Sequence, residues 1–411
     1  MPRNPREKTR RRTNAEPARL MTTFMLGGEP VALPLPGDLT HRQVAAPQDV
    51  LLADLLRRLR GGRLLEVGSS FGLAGLAALE RGWAKRVVWV MRDALGGRVL
   101  RDALEARHSS PDAAILGEGP LDAPDEAYDG VIVHQQPSRA LTETLIRQAA
   151  SRLAPDGTLL VAGEVREGIK VSARVVDEVC AEARVEVVAQ GARVVSGWKP
   201  RAGEVMTAPL PRAHHAAEVA GVSLRWVTTP GIFSADGLDP ASRFLLETIR
   251  LPHKGRILDV GCGAGVLGLW CALRMPQTTV TMLDSDVASV RCAEEGIRLL
   301  GLTNARAVLS DGIRAVADER FDVVVTNPPM HWAGKQDTRL VGRFVRDAAQ
   351  VIGRKGRVWM VCAPTLSLMP ILQENFTEAS IAGETSRFRV WNALRRPLGQ
   401  AERNLIEGRL F

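Results

Sequence analysis

The stretch Arg256-Ile-Leu-Asp-Val-Gly-Cys-Gly-Ala-Gly265 reads as a buried strand running through a glycine-rich turn into a helix. An imperfect copy, Arg63-Leu-Leu-Glu-Val-Gly-Ser-Ser-Phe-Gly72, stands in the first half of the chain. A second matching pair follows, Tyr128-Asp-Gly-Val-Ile-Val133 and Phe321-Asp-Val-Val-Val-Thr326. Glu66 and Asp129 are 63 residues apart, and so are Asp259 and Asp322. Ala154-Pro-Asp-Gly-Thr-Leu-Leu-Val161 then echoes Gly353-Arg-Lys-Gly-Arg-Val-Trp-Met360. Three matches in one order mark an internal duplication.

Outward from these anchors, each copy alternates short β-branched runs with amphipathic stretches. In the second copy strands are expected at 256–260, 279–283, 306–309, 321–326 and 356–362, and helices at 264–274, 287–300 and 339–352. Apolar strands alternating with helices build a parallel sheet covered on both faces. Each half is therefore expected to be a doubly wound, Rossmann-like α/β domain that binds ligands at the carboxyl ends of its strands. Residues 1–15, rich in Pro and Arg without apolar periodicity, read as a disordered basic tail. Residues 16–205 form the first domain and 206–411 the second, with the join near 199–222, where Pro200, Gly203, Pro209 and Pro211 break the pattern.

Composition is that of an ordinary globular protein, 45% hydrophobic and 24% charged. No apolar run approaches the roughly 18 residues of a membrane span. The short run 20–26 is a poor signal-peptide core, so the expected location is cytoplasmic, with no membrane partner. The net charge of +8 is unevenly spread. Residues 1–14 hold six Lys/Arg against one Glu, residues 15–205 hold 23 against 25 acids, and residues 206–411 hold 25 against 20. A polyanion is expected to dock on the tail and the second half. Five cysteines without CxxC spacing read as reduced thiols, and the pair His214-His215 as part of a linker, so no metal is expected.

The turn Asp259-Val-Gly-Cys-Gly-Ala-Gly265 lets backbone approach a ligand closely, because no Cβ intervenes at Gly261, Gly263 and Gly265. Dinucleotide enzymes use related turns. The acid before the first glycine suits a cationic amino-acid ligand better than a pyrophosphate. Asp284 closes the next strand, where it can accept from both hydroxyls of a ribose, and Asp311 follows the strand after that, where it can meet an adenine amino group. Helix N-capping is the structural alternative for both.

The strand 321–326 ends in Asn327-Pro328-Pro329. Two prolines fix φ and remove two backbone donors, leaving the Asn327 side-chain oxygen and the Pro328 carbonyl as acceptors. A planar NH2 group presents two donors in matching geometry. Accepting both orients its nitrogen toward an electrophile, a contribution of positioning and charge redistribution.

The three strand-end positions resemble motifs I to III of class I S-adenosylmethionine-dependent methyltransferases, and the Asn-Pro-Pro loop resembles the signature of their amino-group members. More closely, the second half resembles the guanine-N2 methyltransferases of ribosomal RNA, the RsmC/RlmG type. The residues carrying this are Pro230-Gly-Ile-Phe-Ser-Ala-Asp-Gly-Leu-Asp239, Asp259 to Gly265, and Asn327-Pro-Pro-Met-His331. The resemblance implies two tandem methyltransferase domains, the first degenerate. It implies S-adenosylmethionine held by Asp259, Gly261, Gly263, Gly265, Asp284 and Asp311, catalysis at Asn327, Pro328 and Pro329, and ribosomal RNA or a ribosomal subunit as partner. Phe233, Met330, His331 and Trp332 would meet the base. The family usually carries an aromatic residue after Asn-Pro-Pro; here Met330 stands there, and Trp332 could supply the stacking surface.

Carried across the repeat, Gly263 aligns with Ser70, Ala264 with Phe71, and Asn327-Pro-Pro with His134-Gln135-Gln136. The first half is therefore expected to be non-catalytic. Lys335, Arg339 and Arg343 follow the acceptor loop and are expected to track phosphates beside a base flipped out of its stack; a solvated helix face is the alternative. The loop alone also fits a protein glutamine side chain or an adenine amino group, and a non-enzymatic RNA-binding protein could keep the fold. A monomer is compatible with the sequence.

Overall fold

The computed structural model describes residues 20–395 except 27, 37, 38, 40–43, 59–61, 330, 333, 334 and 337. The expected basic tail at 1–15 lies outside the described residues. The chain forms two seven-stranded sheets. The second has the spatial order Ala305–Leu309, Thr278–Asp284, Gly255–Val260, Phe321–Thr326, Ile352–Cys362, Arg389–Leu394, Glu378–Glu384. Its first five strands are parallel and Arg389–Leu394 is antiparallel to its neighbours. The first sheet has the same order: Ala114–Leu116, Ala84–Met91, Gly62–Val67, Tyr128–His134, Leu153–Glu164, Ala192–Pro200, Cys180–Ala189.

The duplication extends to register. Leu258 lies opposite Val324 and Asp259 opposite Val325, and Leu65 opposite Val131 and Glu66 opposite Ile132, an offset of 193 at each position. A two-stranded hairpin precedes each sheet at the same offset, Leu20–Leu26 with Glu29–Leu35 and Ala213–Val219 with Val222–Thr228. The second hairpin falls partly inside the stretch expected as a join. Pro200 is the last residue of the strand Ala192–Pro200, and Pro209 and Pro211 lie between the two units, but residues from Ala213 onward pair in strand register although their alanines and histidines give little strand signal. The segment between the two units is 201–212.

Strands such as Phe321–Thr326, with Val323, Val324 and Val325 all buried, are apolar on both sides because helices cover both faces. Each sheet accordingly has two hydrophobic clusters, one per face. The helix expected from 264 begins at Val266, because Gly265 caps it in the left-handed region at φ 82°. All five cysteines are buried and none forms a disulfide.

The two units meet through matching surfaces. Ala94 N–H donates to the Ser285 carbonyl (2.8 Å) and Val287 N–H to the Arg92 carbonyl (2.9 Å). Ala94 and Val287 are equivalent under the repeat, as are Arg92 and Ser285. Arg98 pairs with Asp311 (2.7 Å), and its equivalent Arg291 faces Glu118, the equivalent of Asp311, at 3.6 Å. When residue i meets j and the equivalent of j meets the equivalent of i, the contact has two-fold character. Here it runs between halves of one chain.

In the first unit the strand ends are closed by its own side chains. Phe71 is buried beside the turn. His134 Nε2 lies 2.8 Å from Glu66 Oε1, with Asp49 at 3.9 Å from the other ring nitrogen. Gln136 Nε2 donates to the Gly68 and His134 carbonyls at 2.9 and 2.8 Å. Side chains therefore fill the space where the second unit keeps a cleft.

Candidate active site

The cleft of the second unit opens at the switch point of its sheet, where Gly255–Val260 and Phe321–Thr326 lie side by side and the chain leaves them in opposite directions. Thr326 Oγ1 donates to the Val260 carbonyl (2.7 Å) and ties the two strand ends together. Trp226, Phe233, Asp239, Ser242, Gly263 and Asn327 are among the lining residues, around about 410 Å³ of free space that includes the open mouth.

Asp259, two residues before the first glycine of the turn, is fully buried. Its Oδ2 accepts the Gly268 N–H at 2.9 Å, and its Oδ1 has no partner. Burial pushes its carboxyl up to about 7, against the weaker opposing effect of the Gly268 bond. An unpaired buried carboxylate oxygen is costly unless a donor or cation arrives. Gly261, Gly263 and Gly265 all have positive φ, 72°, 54° and 82°. A Cβ on Gly263 would project into open space, so the cradle is kept clear by the missing side chain. Gly263 N–H donates to Asp284 Oδ2 (2.8 Å) and Asp286 N–H to Asp284 Oδ1 (2.9 Å). Burial pushes the Asp284 carboxyl up to about 6. Asp286 caps the following helix, so Asp284 does not. Nor is Asp311 a cap: the turn after it begins at Ile313, and the Asp311 carboxylate is held by Arg98 and Arg343.

Asn327 has a defined orientation. Its amide nitrogen donates to Asp239 Oδ2 at 2.9 Å and to Ser242 Oγ at 3.0 Å, which engages both N–H groups and leaves the side-chain oxygen as the acceptor. Asp239 also caps the helix Pro240–Thr248 through Ser242 N–H (2.7 Å). This second task was hidden in the sequence, where Asp-Pro reads simply as a helix start. Pro328 is buried and Pro329 exposed. Phe233 is 63% exposed, an aromatic face at the rim of the cleft. Trp226 is buried, lines the cleft and has an indole N–H without a partner, a donor that sequence patterning did not single out.

Other expected residues fall elsewhere. Arg343, on the helix Thr338–Val351, donates to Asp311 at 3.0 Å while its side chain stays 35% exposed. Met330 lies outside the described residues. His331 and Trp332 pair with Gln336 and Lys335 as a two-residue ribbon directly after the loop. The Arg339 backbone lies in the first turn of the helix that follows.

The buried acids give the free protein a pH dependence of definite sign. The carboxyls of Asp259, Asp284 and Asp49 are raised to about 7, 6 and 6, each chiefly by burial. The folded state therefore holds these protons more tightly than the unfolded chain, and stability falls as pH rises from about 4 through 7. Urea denaturation is expected to give a higher midpoint at pH 5 than at pH 8; a midpoint that rises over this interval would contradict the burial of these acids.

Sheet order, glycine turn and strand-end acids together define a class I methyltransferase fold, present twice in one chain. Residues 223–392 match the family model of the Methyltransferase small domain. The chain is 30% identical over 334 residues to Ribosomal RNA small subunit methyltransferase C of Pseudomonas fluorescens, covering 79% of this chain and 94% of that protein. It is 31% identical over 271 residues to the protein of the same name from Pseudoalteromonas atlantica, covering 65% and 77%. Among solved structures it resembles the T. thermophilus 16S rRNA N2 G1207 methyltransferase (RsmC) in complex with AdoMet and guanosine, with TM-score 0.77, 27% identity, and 93% of this chain and 99% of that one covered. The chain belongs to the family of ribosomal RNA small subunit methyltransferase C. Among the described residues no helix is long and apolar enough to cross a membrane.

Proposed function

We propose that the second domain methylates the exocyclic N2 amino group of a guanine in small-subunit ribosomal RNA, using S-adenosylmethionine. The observation that carries this reading is the orientation of Asn327: with both amide hydrogens committed to Asp239 and Ser242, its oxygen is left as an acceptor on a residue that lines the cleft of the glycine turn. An acceptor of that kind suits an NH2 group, and the family relationship supports guanine in ribosomal RNA as its bearer.

The residues present fit the cofactor. The unpartnered Asp259 Oδ1 suits the methionine ammonium, the open face of Gly263 leaves room for close approach, Asp284 would accept from the ribose hydroxyls, and Asp311 would accept from the adenine amino group. When bound, the cofactor supplies an electrophilic methyl group. Asn327 Oδ1 and the Pro328 carbonyl would accept the two N2 hydrogens and turn the nitrogen lone pair toward that methyl, and Phe233 would cover one face of the flipped base. Lys335, Arg339 and Arg343 would lie beside the RNA backbone, Arg343 while paired with Asp311.

Labelled S-adenosylmethionine offered with small ribosomal subunits, naked ribosomal RNA and release-factor protein tests the substrate class. Label is expected in RNA; label confined to protein would overturn the reading. The pH dependence offers a second check. The Asp259 charge that meets the ammonium is lost as pH falls through about 7, so the rise in melting temperature on adding S-adenosylmethionine should be larger at pH 8 than at pH 6.

A further inference from the structure

We propose that Arg98, carried by the non-catalytic first domain, is a positioning residue for the methyl-donor site of the second, because it fixes the carboxylate of Asp311. The proposal rests on the reading of Asp311 as the acceptor for the adenine amino group. The helix Ala94–Glu105 is anchored to the second domain at its first turn. Ala94 N–H donates to the Ser285 carbonyl at 2.8 Å, and Arg92 reaches both oxygens of Asp286 at 3.0 and 2.8 Å. One turn later Arg98 Nε and Nη2 both donate to Asp311 Oδ2, at 3.2 and 2.7 Å. Arg343 Nη2, from the catalytic domain, donates to Oδ1 at 3.0 Å.

Asp311 is nearly buried, its side chain 8% exposed. A carboxylate on a strand-end loop would otherwise rotate. Charge-assisted bonds from two sides hold its plane, while Oδ1 retains acceptor capacity for one further donor. An open cleft lined by Arg98, Asp102, Leu309, Asp311 and Arg314 lies between the domains beside this carboxylate. The first domain thus has a task in cofactor binding although its own strand ends are closed by Phe71 and Gln136.

The duplication supplies an internal control. Arg291 is the equivalent of Arg98 and pairs across the same interface with Glu118 (3.6 Å) and Asp122 (3.0 Å). It bridges the domains in the same manner but reaches the closed site. If these pairs serve only to hold the domains together, Arg98→Ala and Arg291→Ala should behave alike.

The test uses the full chain and calorimetric titration with S-adenosylhomocysteine and its deaminated counterpart S-inosylhomocysteine, which lacks the amino group. The wild type is expected to prefer the adenosine form by on the order of tenfold, within the usual range for coupled sites. Arg98→Ala should weaken the adenosine form by about that factor and leave the inosine form nearly unchanged, so that the preference collapses. Arg291→Ala should keep the preference. Full preference in Arg98→Ala, or equal loss in Arg291→Ala, overturns the role of Arg98. No preference in the wild type overturns the reading of Asp311 and this inference with it. If Arg98→Ala does not fold, Arg98→Lys is read instead: a point charge cannot supply both bonds to Oδ2, so an intermediate preference is expected, and an undiminished one overturns the proposal.

Discussion

Replacing Asn327 by Ala is expected to lower kcat on the order of 10²–10³-fold, the usual loss when a preorganised hydrogen-bonding group at a reacting centre is removed. Affinity for S-adenosylmethionine should be unchanged, because Asn327 faces the acceptor and lies on a different strand end from the acids assigned to the cofactor. The effect is large because nothing else in the loop replaces the lost oxygen: Pro328 and Pro329 have no side-chain acceptor and no N–H. Asn327→Asp should fare no better. It places a second carboxylate where Asn327 Nδ2 now sits 2.9 Å from Asp239 Oδ2, and the repulsion swings the side chain out of position. Asp239→Ala should show a smaller loss in kcat, since Ser242 still holds one amide hydrogen. Steady-state kinetics with small ribosomal subunits, paired with calorimetry on the cofactor, separate these outcomes. An Asn327→Ala enzyme with near-normal kcat would remove the loop from the mechanism.

The second large effect is at Asp259. Asp259→Asn should abolish measurable stabilisation by S-adenosylmethionine while raising the melting temperature of the free protein at pH 8. Truncating one partner of a buried hydrogen-bonded charge pair costs about 2–5 kcal/mol of binding, or roughly 30-fold or more in affinity. Asn keeps an oxygen for the Gly268 N–H and the shape of the side chain, so the fold retains its bond. It also removes the charge that burial makes unfavourable, whose carboxyl stands at about 7 in place of its ordinary value of 3.8. Gain in stability with loss of cofactor binding marks a group held at the expense of the fold. A variant that binds S-adenosylmethionine normally, or that loses stability at pH 8, would contradict this role.

Much of the fold was legible because its signal is local. The strand Phe321–Thr326 and the helix Val287–Leu300 fall at the residues their apolar patterns predict. Ile352–Cys362 begins four residues before the expected 356, where the Gly353 to Gly356 stretch continues the strand through a register shift that no apolar pattern records. The hairpin strand Ala213–Val219 was missed for the related reason that its alanines and histidines carry no β-branched alternation until Val219. The duplication was visible in three segments; the structure extends it to both hairpins and to the pairing register.

The candidate site divides in the same way. Glycines and acids at strand ends carry a spacing that can be read. Asn327, by contrast, is oriented by Asp239 and Ser242, 88 and 85 residues away, and Asp311 by Arg98, 213 residues away in the other domain. Such contacts leave no trace in periodicity, because folding alone brings them together. Arg343 likewise has a contact with Asp311 that its helical spacing could not show.

We propose a single site, in the second domain, that methylates the N2 amino group of a guanine. It is tested most directly by mass spectrometry of nucleosides from small ribosomal subunits incubated with the purified full-length protein and labelled S-adenosylmethionine. Labelled N2-methylguanosine is expected with the wild type, and labelling slower on the order of 10²–10³-fold with Asn327→Ala. Label recovered as N6-methyladenosine, or N2-methylguanosine formed undiminished by the variant, would contradict it.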